Sequence, residues 1–161
     1  MSLRIGQGYD VHRLAAGEEL WLGGLLIPHE KGTVAHSDGD VLIHAICDAL
    51  LGAAGLRDIG FHFPDTDIAY KNIDSKILLA RVYKLITNQG YLLVNLDATI
   101  SAQQPKLKEW IPRMEDIMAA ILECSVDQIN IKATTTEKLG FEGREEGISV
   151  QAVVLIESKV K

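Results

Sequence analysis

Cysteine is scarce in this chain, with only Cys47 and Cys124 among 161 residues. Two cysteines so far apart, both in segments that read as helices, are expected to be buried free thiols and not a disulfide. No stretch is apolar enough to span a bilayer. The N-terminal segment lacks the basic-then-apolar layout of a secretory signal, so a cytoplasmic location is expected. Basic excess is missing too: 16 Lys and Arg stand against 22 Asp and Glu, a formal charge of −6. That sign disfavours nonspecific nucleic-acid binding. An anionic substrate would have to be held locally, by a metal ion, lysines and helix N-termini. Internal repeats, low-complexity tracts and linkers are absent as well.

What is present is 47% hydrophobic residues, enough for one domain with a sizeable core over residues 1–161. Arg4 to Arg13 reads as a first strand interrupted by Gly6 and Gly8, and Leu20–Leu22 with Leu25–Ile27 reads as a short hairpin across Gly23-Gly24. Asp38 or Asp40 caps a helix whose apolar positions Leu42, Ala45, Ile46, Ala49 and Leu50 follow helical spacing, with Gly55 as its stop. Arg57 to Ile73 reads as a long loop, a kind of segment that is often functional. Asp74 or Ser75 then caps a second helix ending near Gly90, and a third begins near Pro112, since proline suits a first helical turn. Tyr91–Ala102, Gln128–Thr134 and Gly147–Glu157 complete a four-stranded main sheet. The fold class is α+β: a mixed or antiparallel sheet with helices on one face, plus the small hairpin. In the last strand both alternating sets, Val150/Ala152/Val154/Ile156 and Ser149/Gln151/Val153/Leu155, become apolar toward the C-terminus. One helix layer does not require that, whereas burial of the second face in an oligomer does.

Asp10 and His12 are two apart, which on a strand puts both side chains on one face. His44 lies four residues after Asp40 on the first helix. A carboxylate and two imidazoles with a free position form the pattern of a catalytic zinc site, although a strand D-x-H and a helical His also occur without metal. Thr134-Thr135-Thr136-Glu137-Lys138 follows a strand. Its hydroxyls and N–H groups suit phosphate oxygens and its Glu137 a hard divalent cation; a threonine-rich strand end with a solvated Glu-Lys pair is the plainer alternative. In Ala102 to Lys108, Lys106 can set a point charge on a phosphate or simply face solvent. His36-Ser37-Asp38 cannot be a hydrolase triad, because three adjacent side chains cannot line up in series. Gly6-x-Gly8 is no dinucleotide fingerprint.

Taken in order, these blocks resemble one family, the 2-C-methyl-D-erythritol 2,4-cyclodiphosphate synthases of the non-mevalonate isoprenoid pathway. They are Arg4-Ile5-Gly6-x-Gly8-Tyr9-Asp10-Val11-His12, Ala35-His36-Ser37-Asp38-Gly39-Asp40-Val41, Asp58-Ile59-Gly60 with Phe63-Pro64-Asp65-Thr66-Asp67, Pro105-Lys106, Lys132 to Phe141, and Gly143-Arg144-x-Glu146-Gly147-Ile148. Met1-Ser2-Leu3 precedes the family's usual start as a cloning remnant would, and Gln7 stands where many relatives carry His.

The resemblance implies a homotrimer with active sites between subunits, one Zn2+ per subunit on Asp10, His12 and His44, and Mg2+ or Mn2+ with the substrate diphosphate, held at Glu137. It implies attack of the substrate's 2-phosphate on the β-phosphate of its CDP group, with loss of CMP. His36 and Thr135 match the family's transition-state stabilisers. Substrate-binding positions are Asp10, His12, His36, Ser37, Asp58, Gly60, Phe63, Pro64, Asp65, Thr66 and Asp67 on the methylerythritol side. On the cytidine and diphosphate side they are Ala102, Gln103, Gln104, Pro105, Lys106, Leu107, Lys108, Thr134, Thr135, Thr136 and Glu137. Phe141 and Arg144 match positions for substrate binding and for a central trimer cavity that in some relatives holds an isoprenoid diphosphate; here Glu142 and Glu145 flank them. Two other classes fit parts of the pattern. A zinc phosphohydrolase would give linear products, and a trimeric ligand-binding module would turn nothing over.

Overall fold

The computed structural model describes residues 2–64 and 66–158. Its elements are β1 (Leu3–Ala16), β2 (Leu20–Leu22), β3 (Leu25–Ile27), β4 (Lys31–Thr33), α1 (Val41–Ala54), α2 (Ile59–His62), α3 (Ser75–Asn88), β5 (Tyr91–Ser101), α4 (Ile111–Ile121), β6 (Ile129–Thr134), α5 (Gly140–Gly143) and β7 (Gly147–Ser158). The main sheet has five strands in the order β4-β1-β7-β5-β6, not four, and β2-β3 form the separate hairpin. The strand beyond the expected four is β4, which pairs Lys31–Thr33 with Leu14–Ala16. Lys-Gly-Thr has no apolar alternation, so only its partner makes it a strand. The sheet is mixed: β5 and β6 run parallel, the other pairs antiparallel.

The helices cover one face. Ile148, Val150, Ala152, Val154 and Ile156 of β7 point into the core with Leu96, Ala98, Ile100, Ile129 and Ile131, against α1, α3 and α4. The opposite face is bare in one chain, where Ile5 is 72% exposed and Leu3, Tyr9, Val11 and Val153 are also open.

Gly6 and Gly8 do not interrupt β1, which runs unbroken and pairs with β7 along Leu3–Arg13. They let α1 lie directly on the strand: a Cβ on Gly8 would sit 1.9 Å from the Ala45 carbonyl oxygen, and one on Gly6 2.0 Å from that of Ala49. Such close approach is a use only glycine serves. Asp40, fully buried, is the N-cap of α1 through Ile43 N–H. It also accepts from the N–H groups of Gly23 (3.0 Å) and Gly24 (2.6 Å), tying the hairpin turn to the helix. Burial pushes its carboxyl up, and those N–H groups only partly oppose this. Gly55 ends the helix in the left-handed region. Cys47 is buried and Cys124 partly so, in a turn beyond α4 and not in a helix; both thiols are free. Among the described residues no helix is long and apolar enough to cross a membrane.

Candidate metal centre and adjoining clefts

β1 turns Asp10 and His12 toward α1, and α1 presents His44 to them. His12 Nδ1 lies 3.1 Å and His44 Nδ1 3.2 Å from the same oxygen, Asp10 Oδ2. The three ligand atoms lie within 4.8 Å of one another. Asp10 Oδ2 and His12 Nδ1 are buried, and for all their closeness neither has a partner in hydrogen-bond geometry. Buried polar atoms left so cost free energy, and a shared cation would satisfy all three at once. The donor set fits a divalent metal with imidazole and carboxylate ligands. Gln7, on the alternate face of β1, donates to its neighbour's carbonyl and stands apart from the triad.

Behind the triad, His44 Nε2 lies 3.0 Å from Ser75 Oγ and 3.3 Å from Ser37 Oγ. Burial lowers the His44 pKa, but Asp10 and the charges of Asp40 and Asp38 raise it more, leaving it above 6.5. Burial likewise raises Asp10, yet the two imidazoles pull its carboxyl down to about 2. Without metal the centre therefore holds a proton on His44 at pH values where an ordinary histidine has lost it. A cation must displace that proton, so affinity should climb as pH rises through the raised His44 value and level off above it. Competition with a chelator at about pH 6 and about pH 8 measures this, and equal affinities would contradict it.

The triad opens on a cleft of about 380 Å³ lined by His12, His36, Ser37, His44, Gly60, Phe63 and Pro64. Ala35 and the side chains of Ile59, Tyr70, Ile73 and Leu78 complete it. Those four apolar side chains were not foreseen, because nothing in their local pattern separates a cleft wall from a core. The 57–73 segment is not a plain loop: it holds α2 and a 3-10 turn over Ile68–Tyr70. Asp48 fixes its start by accepting from Ile59 N–H at 2.7 Å. Asp58 caps α2 through Phe61 N–H, and Asp67 caps the 3-10 turn through Ala69 N–H. These two carboxylates and Thr66 are exposed and stand off the cleft lining, and Asp65 lies outside the described residues.

A second cleft, of about 390 Å³, is lined by Ala102, Pro105, Lys106, Leu107, Lys108, Thr134 and Thr135, with Ile111, Ile131, Lys132 and Ala133. Gln103 accepts from Lys138 N–H at 3.2 Å, and Gln104 precedes Pro105 through a cis peptide. Thr135 donates to Glu137 Oε1 at 3.1 Å, and Thr136 to the Leu139 carbonyl at 2.6 Å. Glu137 and Lys138 both sit at positive φ, 54° and 65°, so the chain turns sharply there. Phe141 and Arg144 belong to neither cleft: the Phe141 ring packs by Gly147, and Arg144 makes a two-pronged pair with Glu146. Glu142 accepts from Ser149 Oγ on the bare sheet face.

The two clefts share no lining residue. Val11, Ser149, Ser101 and Thr134 form one row across β1, β7, β5 and β6. Three inter-strand steps put Thr134 about 14 Å from the strand bearing the metal ligands.

Comparison with known proteins gives the family. The family model described as the YgbB family matches residues 3–157. A 2-C-methyl-D-erythritol 2,4-cyclodiphosphate synthase of Bacteroides fragilis is 62% identical, covering 97% of this chain and 98% of that one. The bifunctional IspDF of Campylobacter jejuni matches with a TM-score of 0.95 and 45% identity, over 98% of this chain and 43% of that longer one. A CDP-bound 2C-methyl-D-erythritol-2,4-cyclodiphosphate synthase matches with a TM-score of 0.88 and 38% identity, over 96% of this chain and 100% of that one. The chain belongs to the YgbB family, the family of the 2-C-methyl-D-erythritol 2,4-cyclodiphosphate synthases.

Proposed function

We propose that the protein converts 4-diphosphocytidyl-2-C-methyl-D-erythritol 2-phosphate into 2-C-methyl-D-erythritol 2,4-cyclodiphosphate and CMP. The observation that carries this reading is the convergence of Asp10, His12 and His44 at the mouth of a cleft sized for a small phosphorylated polyol. An oxygen of the 2-phosphate forms a bond to the β-phosphorus, the bond from that phosphorus to the α-phosphate oxygen breaks, and CMP leaves with the electron pair. No water is consumed.

Asp10, His12 and His44 would hold Zn2+ and Glu137 would hold Mg2+ or Mn2+; bound there, they withdraw charge from the phosphate oxygens and from the departing CMP. The chain itself mostly positions. His36 and Ser37 face the methylerythritol 2-phosphate, with Gly60, Phe63 and Pro64 shaping the wall around it. Backbone groups of Pro105–Leu107 take the cytosine, and Lys106, Thr134 and Thr135 take the diphosphate. Holding two anionic groups in attack geometry supplies about 7–11 kcal/mol of the barrier.

Both halves must reach one diphosphate, yet they stand at opposite sides of one sheet. A head-to-tail homotrimer brings the β6 side of one copy to the β1 side of the next and closes the ring. The bare apolar face of Leu3, Ile5, Tyr9, Val11 and Val153 supports it, since patches of that kind are normally covered. Mixing two inactive variants tests the arrangement. His44→Ala supplies a sound second cleft and Thr135→Ala a sound metal centre. Denatured and refolded together in equal amounts, they should recover CMP release in about a quarter of random pairings. No recovery in mixed trimers would refute shared sites.

A further inference from the structure

The His44 ring is addressed from behind by a carboxylate acting through a hydroxyl. Ser75, fully buried at the first position of α3, donates its only hydroxyl proton to Asp38 Oδ1. The other Asp38 oxygen accepts from Ser75 N–H at 2.8 Å, and Oδ1 accepts also from Asp40 N–H at 3.1 Å. The carboxylate is thus fixed as an acceptor, and Ser75 Oγ has only lone pairs left to offer His44 Nε2, 3.0 Å away. A bare Nε2 would set lone pair against lone pair. With a cation between Nδ1 and Asp10 Oδ2, Nε2 must therefore carry the proton, and Nδ1, the atom aimed at Asp10 Oδ2, is left with its lone pair for the metal. Ser37 Oγ, more distant at 3.3 Å, accepts from Gly39 N–H and keeps both a lone pair and its own proton, so it suits either tautomer and leaves the choice to the nearer Ser75. Among the described residues no hydrogen bond does the same for His12.

We infer that Ser75, backed by Asp38, is a positioning residue that fixes the tautomer of His44 and so readies its Nδ1 for the metal. This deepens the metal reading and rests on it. It also gives α3 a part in the site: Asp38 ties the turn before α1 to the first turn of α3, so the ring is held from two helices. Supporting residues of this kind typically cost about 10- to 100-fold in metal affinity when lost. Asp38→Asn carries a sharper expectation. The new amide can donate to Ser75 Oγ, which frees the hydroxyl proton to turn onto His44 Nε2 and drives the ring to the wrong tautomer.

The test is Zn2+ alone, titrated against a competing chelator, with wild-type, Ser75→Ala and Asp38→Asn proteins. Expected are tight binding by wild type and a loss of about tenfold or more in each variant, with metal-free melting temperatures close to wild type. Zinc affinities equal to wild type in both variants would overturn the inference while leaving the metal reading intact; failure of wild type to bind zinc would remove the metal reading itself. Should either variant fail to fold, the nitrogen NMR of the wild-type ring decides, recorded on the zinc-loaded protein. A proton on Nε2 supports the assignment and a proton on Nδ1 overturns it.

Discussion

Gly8→Ala is expected to lower stability by about 3 kcal/mol or more and to destroy metal binding with it. The added Cβ would meet the backbone of Ala45 and Ala49, not a side chain that can swing aside. Relief requires α1 to lift off β1. His44 rides on α1 one residue before Ala45, while Asp10 and His12 ride on β1 just past Gly8. The same displacement that relieves the clash therefore separates the ligands. At this chain length the loss corresponds to a melting temperature lower by about 6–12 °C. Gly52→Ala is the control on the same helix: its nearest outside neighbour would be the Gln7 carbonyl oxygen at 3.9 Å. That change should be neutral or stabilise by up to about 1 kcal/mol. Equal melting temperatures for Gly8→Ala and Gly52→Ala would refute the close-approach account.

His44→Ala should remove the metal and the activity while leaving the fold. It deletes one of three ligands, so zinc affinity should fall by more than the roughly 100-fold that a supporting residue costs. Among the described residues the ring makes no hydrogen bond to backbone, and its helix is held by the Asp40 cap and by Leu42, Ile46 and Leu50 in the core. Zinc per chain by elemental analysis, sedimentation and circular dichroism would be read together. A folded assembly without zinc is the expected result. Full zinc content would remove His44 from the ligand set, and monomers would mean that the metal holds the subunits together.

Much of this could be read from the residues alone, where the signal was local. Asp40, the helical spacing of Leu42 to Leu50 and Gly55 delimit α1 because a cap, a stripe and a left-handed stop are each encoded in a few adjacent positions. The Asp10–His12 pair of the candidate metal site was legible for the same reason: two residues apart on a strand means one face. What escaped is tertiary. A reading that treats Gly6 and Gly8 as breaks in a strand cannot know that a helix backbone will come to rest on them. Lys31–Thr33 becomes a strand only because Leu14–Ala16 is beside it. Ser75 looks like one more helix-start residue until Asp38 and His44 are placed on either side of it. The Thr134–Glu137 segment was open between a phosphate site and a solvated strand end. Thr134 and Thr135 line one cleft with Lys106 and Lys108, which suits a phosphate, while Thr136 stands off that lining and Glu137 and Lys138 are exposed beyond it.

Phosphorus NMR of the purified protein separates cyclisation from hydrolysis. The substrate would be 4-diphosphocytidyl-2-C-methyl-D-erythritol 2-phosphate with magnesium, repeated after zinc is chelated. CMP is expected in step with two mutually coupled cyclic-diphosphate resonances, both lost on chelation. Linear phosphate products, or an unchanged spectrum from a zinc-loaded assembly, would contradict cyclisation.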